Sequence, residues 1–446
     1  MTQLIFRYDT EDYVNEYAAE GILRAIRPLD AAGITGCFVI TGKLIPALRK
    51  WGRGDVIQAL ARHEIGTHSL GHSAHPTINE YTDIADFDVA LSRFLQEENA
   101  CIAILKEAFG EEIVINATSA PGNSVSYVAQ YGYAELGIRE YLGGFTRDEV
   151  GNRPIYFCNV INTSTSFCLD TLYKLTRAEI DGVIEELAGK AVAILCHHPA
   201  MNMLREFWDK VNYDGVNTPE EEWRESARLS EAETVTWSEN YAYFIEKVKN
   251  DPRFEIVTSE KIEERHFPVR DRVIDKAVLK QVRGQIEESF FPVTVPDSYS
   301  LCDLVFACRD LLLGKEKHIC GKTFGFLSAP ESITTPVTLT REELTTAAKE
   351  IPDTFLPTVL HAGEKRIGVS DFLRAALVLL TENIDTVTAI PAPWQINLDE
   401  FPILEKLNLK GSWVHTKDFE DAYISSRSRL QSYTIRLPRG TKRMIF

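Results

Sequence analysis

The sequence predicts an α/β fold for residues 1–262, followed by a mainly helical C-terminal domain. Short apolar runs alternate with amphipathic stretches through the first part, and this alternation favours parallel strands joined by helical crossovers. Further along the chain, apolar residues recur at helical spacing instead. The 446 residues are enough for about two or three domains. We expect a parallel-sheet domain at 1–262, a helical connector at 263–290 and a mainly helical domain of unknown role at 291–446.

The predicted strands of the first domain are short apolar runs: Leu4–Tyr8, Gly36–Ile40, Ile113–Asn116, Pro154–Phe157, Val192–Cys196 and Phe254–Val257. The predicted helices between them are amphipathic: Glu16–Ala32, Asp55–Arg62, Asp86–Phe109, Arg177–Ala188 and Ser238–Asn250. Residues 202–233 interrupt the pattern with acidic and aromatic residues, and they form either a lid over a functional site or a solvent-exposed excursion. In the C-terminal domain Thr340 and Glu343 fit a capping box, and Ser370 is expected to cap the next helix.

Composition excludes several classes of function. The net charge of −17 disfavours binding to nucleic acid, because phosphates attract clustered lysine and arginine. No apolar run reaches the length of a membrane span, which is about 18 residues or more. The sequence MTQLIFRYDTEDY has neither the basic nor the apolar region of a secretory signal, and none of the eight cysteines forms a C-x-x-C pair. These features predict a cytoplasmic protein with reduced cysteines, and they leave its oligomeric state open.

Three acidic residues, Asp9, Glu11 and Asp12, lie within four positions at the end of the first predicted strand. Carboxylates at the end of a buried strand are costly unless a cation neutralises them. In parallel barrels the chemistry sits at the C-terminal ends of the strands. We therefore expect a divalent metal near these acids, although acids are also common at turns and helix N-termini.

Four of the ten histidines lie between residues 63 and 75. His68 and His72 are four positions apart, so one helical turn would place both imidazoles on one face, within reach of one ion. His63 and His75 are further candidates. This density of histidines predicts a metal site.

The predicted strand at 192–196 ends in two adjacent histidines, His197 and His198. Adjacent strand residues point to opposite faces, so only one of them can face the functional site. That histidine could protonate a departing amine, because the ordinary histidine pKa lies near neutrality. Two histidines and a carboxylate leave open positions on a metal for water and a carbonyl oxygen. The combination predicts amide or ester hydrolysis.

In order and spacing, these motifs resemble the polysaccharide deacetylases of carbohydrate esterase family 4, the NodB-like homology domain. HEIGTHSLGH at 63–72 resembles the histidine motif of that family, and GCFVITG at 36–42 resembles its second strand. SAPGNS at 119–124 occupies the place of an Arg-x-Pro segment, and ILCHHP at 194–199 resembles a terminal Leu-x-His motif. The resemblance implies a distorted (β/α)7-type barrel with a divalent metal, usually Zn2+. It also implies removal of an acetyl or similar acyl group from an N-acetylated sugar or glycan precursor.

The resemblance carries roles onto individual residues of this sequence. The implied metal ligands are Glu11, His68 and His72. The implied catalytic residues are Asp9 as general base and His198 as general acid, and the implied substrate contacts are Pro121, Gly122 and Asn123. Because the family has two adjacent aspartates where this sequence reads Asp-Thr-Glu-Asp, Asp12 or Asp9 is an alternative metal ligand, and His197 is the alternative acid.

One departure from the family pattern bears on function. Ser119 stands where the family has an arginine that orients the base, and Arg7 or Arg139 could supply the missing charge. This departure leaves two alternatives, a hydrolase of small amides or imides on the same barrel and a non-catalytic glycan-binding protein. The C-terminal segment that begins at Thr340 weakly resembles pseudomurein-binding repeats, which would imply contact with a glycan-like or peptide-like ligand; a structural appendage or a dimerisation module is the favoured alternative.

Overall fold

The computed structural model describes residues 1–143, 153–394, 396 and 413–441, and the chain separates into two compact units. Within the described residues, the first unit contains 1–143, 153–154, 160–263 and 413–424. The second unit contains 155–159, 264–394, 396 and 425–441.

The strands are β1 Thr2–Thr10, β2 Cys37–Ile40, β3 Glu64–Thr67, β4 Ala117–Ser119, β5 Glu140–Leu142, β6 Ile155–Phe157, β7 Val160–Thr163, β8 Phe167–Cys168, β9 Val192–His197, β10 Phe254–Ile256, β11 Val273–Asp275, β12 Lys317–Ile319, β13 Val337–Thr340, β14 Leu360–Ala362, β15 Lys365–Ile367 and β16 Thr386–Ala389. The α-helices are α1 Ala18–Ala32, α2 Leu44–Lys50, α3 Gly54–Leu60, α4 Ile78–Thr82, α5 Phe87–Phe109, α6 Tyr127–Glu135, α7 Arg177–Leu187, α8 Trp208–Asn212, α9 Glu231–Asn250, α10 Glu260–His266, α11 Lys276–Ser289, α12 Leu301–Leu312, α13 Arg341–Ala348, α14 Val369–Glu382 and α15 Ile424–Leu430. Short 3-10 helices occupy Pro121–Asn123, Leu169–Lys174, Pro199–Asn202, Glu220–Glu222 and Ser432–Thr434.

A curled sheet of parallel strands forms the centre of the first unit. Its order is β7-β5-β4-β3-β2-β1-β9-β8, and β10 pairs with the beginning of β1. All nine residues of β1 are buried, as expected for a central parallel strand that is covered on both faces. The predicted fold class, an α/β distorted barrel followed by a mainly helical region, is confirmed.

The register of the sheet aligns the C-terminal ends of its central strands. Thr10 pairs with Ile40, Ile40 with Thr67 and Thr67 with Thr118, while Tyr8 pairs with His197 on the other side of β1. The residues that follow these positions therefore leave the sheet at one edge. This edge carries the first-strand acids, the histidine segment and the histidine pair.

The predicted strand at Ile113–Asn116 is wrong by several residues, because the strand is β4 at 117–119. Val114 is 80% exposed, so the apolar run that suggested a strand approaches the sheet across the surface. The helix predicted from Ser238 begins earlier, at Glu231, where Ser230 and Glu233 form a capping box. The remaining predicted strands and helices occur with shifted ends.

The second unit packs helices α11 to α14 together with three antiparallel strand pairs, β11–β12, β13–β16 and β14–β15. The predicted capping box is confirmed: Thr340 Oγ1 accepts from the Glu343 N–H at 3.2 Å. The cap predicted at Ser370 is wrong, because helix α14 is capped at Gly368, whose N–H donates to the Asp371 carboxylate at 2.9 Å. Among the helices of the described chain, none combines the length and the apolar content needed to cross a membrane.

Candidate active site

Glu11, His68 and His72 converge at the edge of the sheet. The Glu11 Oε2 atom lies 2.8 Å from His72 Nε2 and 3.3 Å from His68 Nε2. One ligand atom from each residue lies within 4.8 Å of the other two, and all three residues are buried. Glu11 follows the end of β1, and His68 follows β3, so the parallel register itself brings them together. The predicted ligand residues therefore form one cluster.

The segment that joins the two histidines is a loop, so the expectation of a helical turn is wrong. Ser69 and His72 both have positive φ, at 61° and 56°, a conformation that costs roughly 1–2 kcal/mol in a non-glycine residue. Ser69 offsets part of that cost, since its Oγ accepts the His72 N–H at 3.0 Å. Two left-handed residues thus fold the chain back and bring the His68 and His72 rings to a centroid separation of 4.9 Å.

Hydrogen bonds at Nδ1 orient both imidazoles. His68 Nδ1 lies 3.2 Å from the Ser119 carbonyl oxygen, to which it donates. His72 Nδ1 lies 2.9 Å from Ser73 Oγ, and that hydroxyl in turn donates to Asp209 Oδ2 at 2.8 Å. Because the Ser73 proton goes to Asp209, Ser73 accepts from Nδ1–H of His72. Both rings therefore carry a proton on Nδ1 and turn Nε2 towards Glu11.

This donor set fits a divalent cation. The Gly122 N–H donates to His72 Nε2 at 3.0 Å, so this nitrogen is an acceptor although a carboxylate oxygen of Glu11 lies beside it. Burial lowers the pKa of His72, but the Glu11 carboxylate outweighs it and raises that pKa, so either a proton or a metal ion can join these two atoms. Burial by itself raises the pKa of Glu11, but the imidazoles of His72 and His198 outweigh it and hold that pKa well below its usual range. Two nitrogens and one ionised carboxylate are the ligands of many zinc sites.

Asp9 and His198 lie beside this cluster. Asp9 Oδ1 accepts a hydrogen bond from Ser119 Oγ at 2.8 Å, and Asp9 Oδ2 lies 3.8 Å from His198 Nε2. The side chain of Asp9 is 10% exposed and that of His198 is 21% exposed, so His198 has the more open position. Asp9 and Glu11 are two residues apart along one extended chain, which places both carboxylates on the same side.

Asp170 holds both histidines of the pair. Its Oδ2 lies 2.8 Å from His198 Nδ1, and its Oδ1 accepts from the His198 N–H at 2.8 Å and lies 2.7 Å from His197 Nδ1. Burial lowers the pKa of His198, but the Asp170 carboxylate outweighs it and raises that pKa well above its usual value. His197 is fully buried and stacks on Trp237 at a centroid distance of 4.8 Å, so it faces the core.

The other predicted candidates have structural partners. Asp12 is buried, and its carboxylate accepts from the N–H groups of Val14 and Asn15 at 3.0 and 2.9 Å, which closes a turn. His63 Nδ1 accepts from the Gly36 N–H at 3.2 Å, and burial lowers the pKa of His63. His75 lies 2.8 Å from the Glu80 carboxylate through Nδ1 and 2.8 Å from the Val414 carbonyl through Nε2. None of these three residues joins the cluster around Glu11.

The two arginines considered as replacements for the family arginine do not contact Asp9. Arg7 is fully buried, forms an ion pair with Glu140 and donates to the Thr118 carbonyl at 2.9 Å. A second contact of Arg7, at 3.4 Å, reaches Ser119 Oγ, the same atom that donates to Asp9. Ser119 thus lies between the arginine and the carboxylate, and Asp9 receives a hydroxyl hydrogen bond where an arginine was expected.

The residues at 121–123 form a tight turn against the histidines. Gly122 has φ of 52°, and a Cβ atom there would lie 3.0 Å from the Ser73 Cβ. Glycine at this position allows the backbone N–H to reach His72. Asn123 also has a positive φ, of 57°. Of the three predicted substrate contacts, Gly122 is the one whose backbone reaches the cluster.

Within the segment 202–233, Phe207, Trp208 and Asp209 pack against the site, as the lid interpretation expects, whereas residues 214–225 are exposed or half-buried, as a solvent-exposed excursion would be. Phe207 meets His198 edge-on at a centroid distance of 4.8 Å and stacks on Trp413 at 5.9 Å. Trp208 is fully buried, 6.0 Å from the His72 ring. Asp209 accepts from Trp413 Nε1 at 2.9 Å. Three aromatic side chains therefore form one wall of the site.

Sequence reasoning missed the roles of four polar residues of this site: Ser73, Ser119, Asp170 and Asp209. Ser73 directly follows His72, but its hydrogen bonds to His72 and Asp209 were not anticipated. Asp170 follows the two-residue strand β8, and Asp209 lies in the aromatic segment, so neither stands next to a recognisable motif. The sequence indicated Ser119 only as the residue at the position of the family arginine. Its hydrogen bond to Asp9 was not predicted. The one signal in the sequence for Asp170 was its position, as an acidic residue close to the end of a short strand.

No protein-family model matches the chain, and no curated protein matches its sequence. Several solved structures share part of the fold. A protein assigned as a polysaccharide deacetylase from Mycobacterium smegmatis has 15% identity and a TM-score of 0.39, with 59% of this chain and 89% of that chain covered. A family 4 acetyl xylan esterase from Clostridium thermocellum, in complex with a cobalt ion, has 13% identity and a TM-score of 0.33, with 59% and 90% covered.

A third similar structure, 4-alpha-glucanotransferase from Thermococcus litoralis, has 10% identity and a TM-score of 0.39, with 60% of this chain and 40% of that chain covered. Likenesses at these levels carry no argument about activity. The resemblance of the C-terminal part to pseudomurein-binding repeats stays a prediction.

Proposed function

We propose that the first unit is a metal-dependent hydrolase that removes an acetyl or similar acyl group from an N-acetylated sugar or glycan precursor. The observation that carries this proposal is the convergence of Glu11 Oε2, His68 Nε2 and His72 Nε2 beside the Asp9–His198 pair. Two histidines and a carboxylate suit Zn2+, and an aspartate with a histidine supplies a base and an acid.

Glu11, His68 and His72 are the proposed ligands of the metal. A divalent ion held by such a set polarises a carbonyl oxygen and makes water more acidic. The ligand histidines are oriented by Ser119, through its carbonyl oxygen, and by the Ser73 hydroxyl. Fixed Nδ1–H bonds of this kind keep each Nε2 available to an ion.

Asp9 is the proposed general base. The Ser119 hydroxyl occupies Oδ1, so Oδ2 is the oxygen that can take a proton from water. Oδ2 is also the oxygen nearest to His198 Nε2. The buried Asp9 carboxylate accepts from the Ser119 hydroxyl at Oδ1 and from the Cys196 thiol, 3.8 Å from Oδ2. These bonds give it a defined orientation, which a base needs for efficient proton transfer.

His198 is the proposed general acid. Asp170 accepts from Nδ1–H, fixes the ring plane and stabilises the protonated imidazole, leaving Nε2–H directed at the site. From that position Nε2 can donate its proton to the amine or hydroxyl that leaves. The Gly122 N–H donates to His72 Nε2; if that nitrogen bound a metal ion instead, this N–H would be a candidate donor for the negative charge that develops on the substrate carbonyl oxygen.

A second candidate function is hydrolysis of small amides or imides. The observation that favours it is enclosure, because Asp9 and Glu11 are 8% and 5% exposed and the wall formed by Phe207 and Trp413 stands over His198. A polymer needs an open groove, whereas an enclosed site fits a small substrate. For the proposed deacetylase, the same enclosure would limit the substrate to a single sugar or to the end of a glycan chain.

Acetate release from N-acetylglucosamine and from its tetramer, together with ring opening of succinimide, tests both candidates. The protein is stripped with a chelator, and each substrate is assayed before and after Zn2+ is restored. The first proposal expects zinc-dependent acetate release; the second expects zinc-dependent ring opening and no acetate. If neither reaction occurs while zinc still binds, both hydrolase proposals fail and a binding protein remains.

Two substitutions separate chemistry from metal binding. Asp9→Asn should keep the metal and lower turnover by roughly 10²- to 10⁴-fold, because the base is lost. Asp88→Asn is the matched control, since Asp88 is an exposed aspartate in the first turn of α5. Full turnover in Asp9→Asn would show that Asp9 is not the base.

A further inference from the structure

The second unit contains a cavity of about 400 Å3 that is rich in arginine. Its lining includes Arg265, Arg270, Arg272, Arg436 and Arg439. Asp297 is the one acidic side chain among the described residues of that lining. The whole sequence has 65 acidic and 48 basic residues, so five arginines around one cavity contrast with the composition of the chain. The cavity is a local positive region in an acidic protein.

Two of these arginines have carboxylate partners. Arg270 pairs with Asp297 at 2.6 Å, and Arg272 pairs with the buried Asp303 at 2.9 Å. Such pairs hold each guanidinium in place and leave its remaining N–H groups available for other acceptors.

Arg436 differs, because it forms no ion pair with any carboxylate among the described residues, although it is only 8% exposed. Its guanidinium lies 3.7 Å from the centre of the Tyr156 ring, and backbone hydrogen bonds of 2.8 and 2.9 Å join the same two residues. Burial lowers the pKa of Arg436; Tyr156 and the Asp303 carboxylate oppose that effect, and the charge of Arg272 adds to it. Because Asp303 already pairs with Arg272, the two buried guanidinium groups share one carboxylate, and an added anion would neutralise the remaining positive charge.

The rest of the lining suits an organic group as well as an anion. Phe267 is 6% exposed, and the centre of its ring lies 5.6 Å from the Arg436 guanidinium. Pro268 and Pro438 add apolar surface, and the exposed Arg439 belongs to the same lining. The cavity volume falls within the range of small-molecule sites and exceeds what an inorganic anion alone would fill.

We propose that this cavity binds a small phosphorylated organic molecule, with its phosphate group held by Arg436, Arg272 and Arg439. Guanidinium groups bind phosphate through paired hydrogen bonds, and several of them together match its charge. The organic part then lies against Phe267 and Pro438. This site is independent of the hydrolase proposal, since it uses only residues of the second unit.

Calorimetric titration of the full chain tests this site. The probes are glucose 6-phosphate, inorganic phosphate, glucose and citrate. We expect glucose 6-phosphate to bind more tightly than inorganic phosphate, citrate to bind less tightly than either, and glucose to give no heat. Equal affinity for glucose 6-phosphate and inorganic phosphate would overturn the organic half of the proposal. Absence of binding by both phosphate probes, or tighter binding of citrate, would overturn the whole.

Three variants locate the binding. Arg436→Gln should weaken glucose 6-phosphate binding roughly tenfold to a hundredfold, the usual effect of a lost charged hydrogen bond. Arg439→Gln should also weaken glucose 6-phosphate binding. Because Arg439 is exposed, its substitution should not disturb folding, so this variant tests the site even if Arg436→Gln does not fold. Arg366→Gln is the matched control, an exposed arginine of the same unit outside the cavity, and should leave affinity unchanged. Equal effects of Arg439→Gln and Arg366→Gln would mean nonspecific attraction and would refute the site.

Discussion

Replacement of Ser73 by alanine should weaken metal binding without removing any proposed ligand. The Ser73 hydroxyl accepts from His72 Nδ1–H at 2.9 Å and donates to Asp209 at 2.8 Å. In Ser73→Ala the buried Nδ1–H of His72 loses its acceptor, which lowers the free energy of unfolding by about 1–3 kcal/mol. Partners of ligand histidines typically contribute 10- to 100-fold in metal affinity, equivalent to about 1.4–2.7 kcal/mol. From the second figure we expect the Kd for Zn2+ to rise by roughly 10- to 100-fold.

Competition with a chromogenic chelator measures this Kd. Ser124→Ala is the matched control, because Ser124 is equally buried but its Oγ has no hydrogen-bond partner among the described residues. The control should bind Zn2+ with the affinity of the unmodified protein. An unchanged Kd in a folded Ser73→Ala protein would refute the reasoning that Asp209 and Ser73 position His72.

Three further predictions concern stability, pH and the glycine turn. Burial raises the pKa of Glu98 from 4.5 to about 7, so the folded protein favours the neutral carboxyl. The contribution of Glu98 to the free energy of unfolding is therefore fully present below pH 4.5 and is lost as the pH rises through 7. Glu98→Gln should therefore be more stable than the unmodified protein at pH 8, by roughly 3 kcal/mol, and nearly equal at pH 4, as measured by chemical denaturation; identical stability at both values would contradict this. Asp170→Asn removes the charge that raises the pKa of His198, so the alkaline limb of the pH–rate profile should move to lower pH; an unmoved limb would mean that His198 is not the acid. Gly122→Ala places a Cβ 3.0 Å from Ser73 at positive φ, so zinc affinity and the thermal midpoint should both fall; an unchanged midpoint would show that the turn tolerates a side chain.

Much of the fold could be predicted, because parallel strands buried on both faces are continuous apolar runs. β1, β2 and β9 are of this kind, and the helices between them have clear amphipathic spacing. The strands of the first unit that were missed, β3, β5, β7 and β8, have two to four residues, too few for a recognisable pattern. The misplaced strand near residue 114 failed because apolar composition does not report exposure.

The parts of the site that could be predicted are those on the motifs. Glu11, His68 and His72 come together as expected, but through a loop with two left-handed residues, which spacing alone does not reveal. Asp170 and Asp209 come from segments distant in sequence, and only the folded chain brings them to the histidines they orient. Their contribution depends on hydrogen bonds, for which the sequence has no local signal.

Crystals of the zinc-reconstituted protein, measured on both sides of the zinc absorption edge, give the most direct test of the central claim. The account predicts an anomalous peak among Glu11 Oε2, His68 Nε2 and His72 Nε2. A second group of possible ligands, Asp9, Cys196 and His198, lies close by. A peak at that second group, or none at the first, would contradict the account.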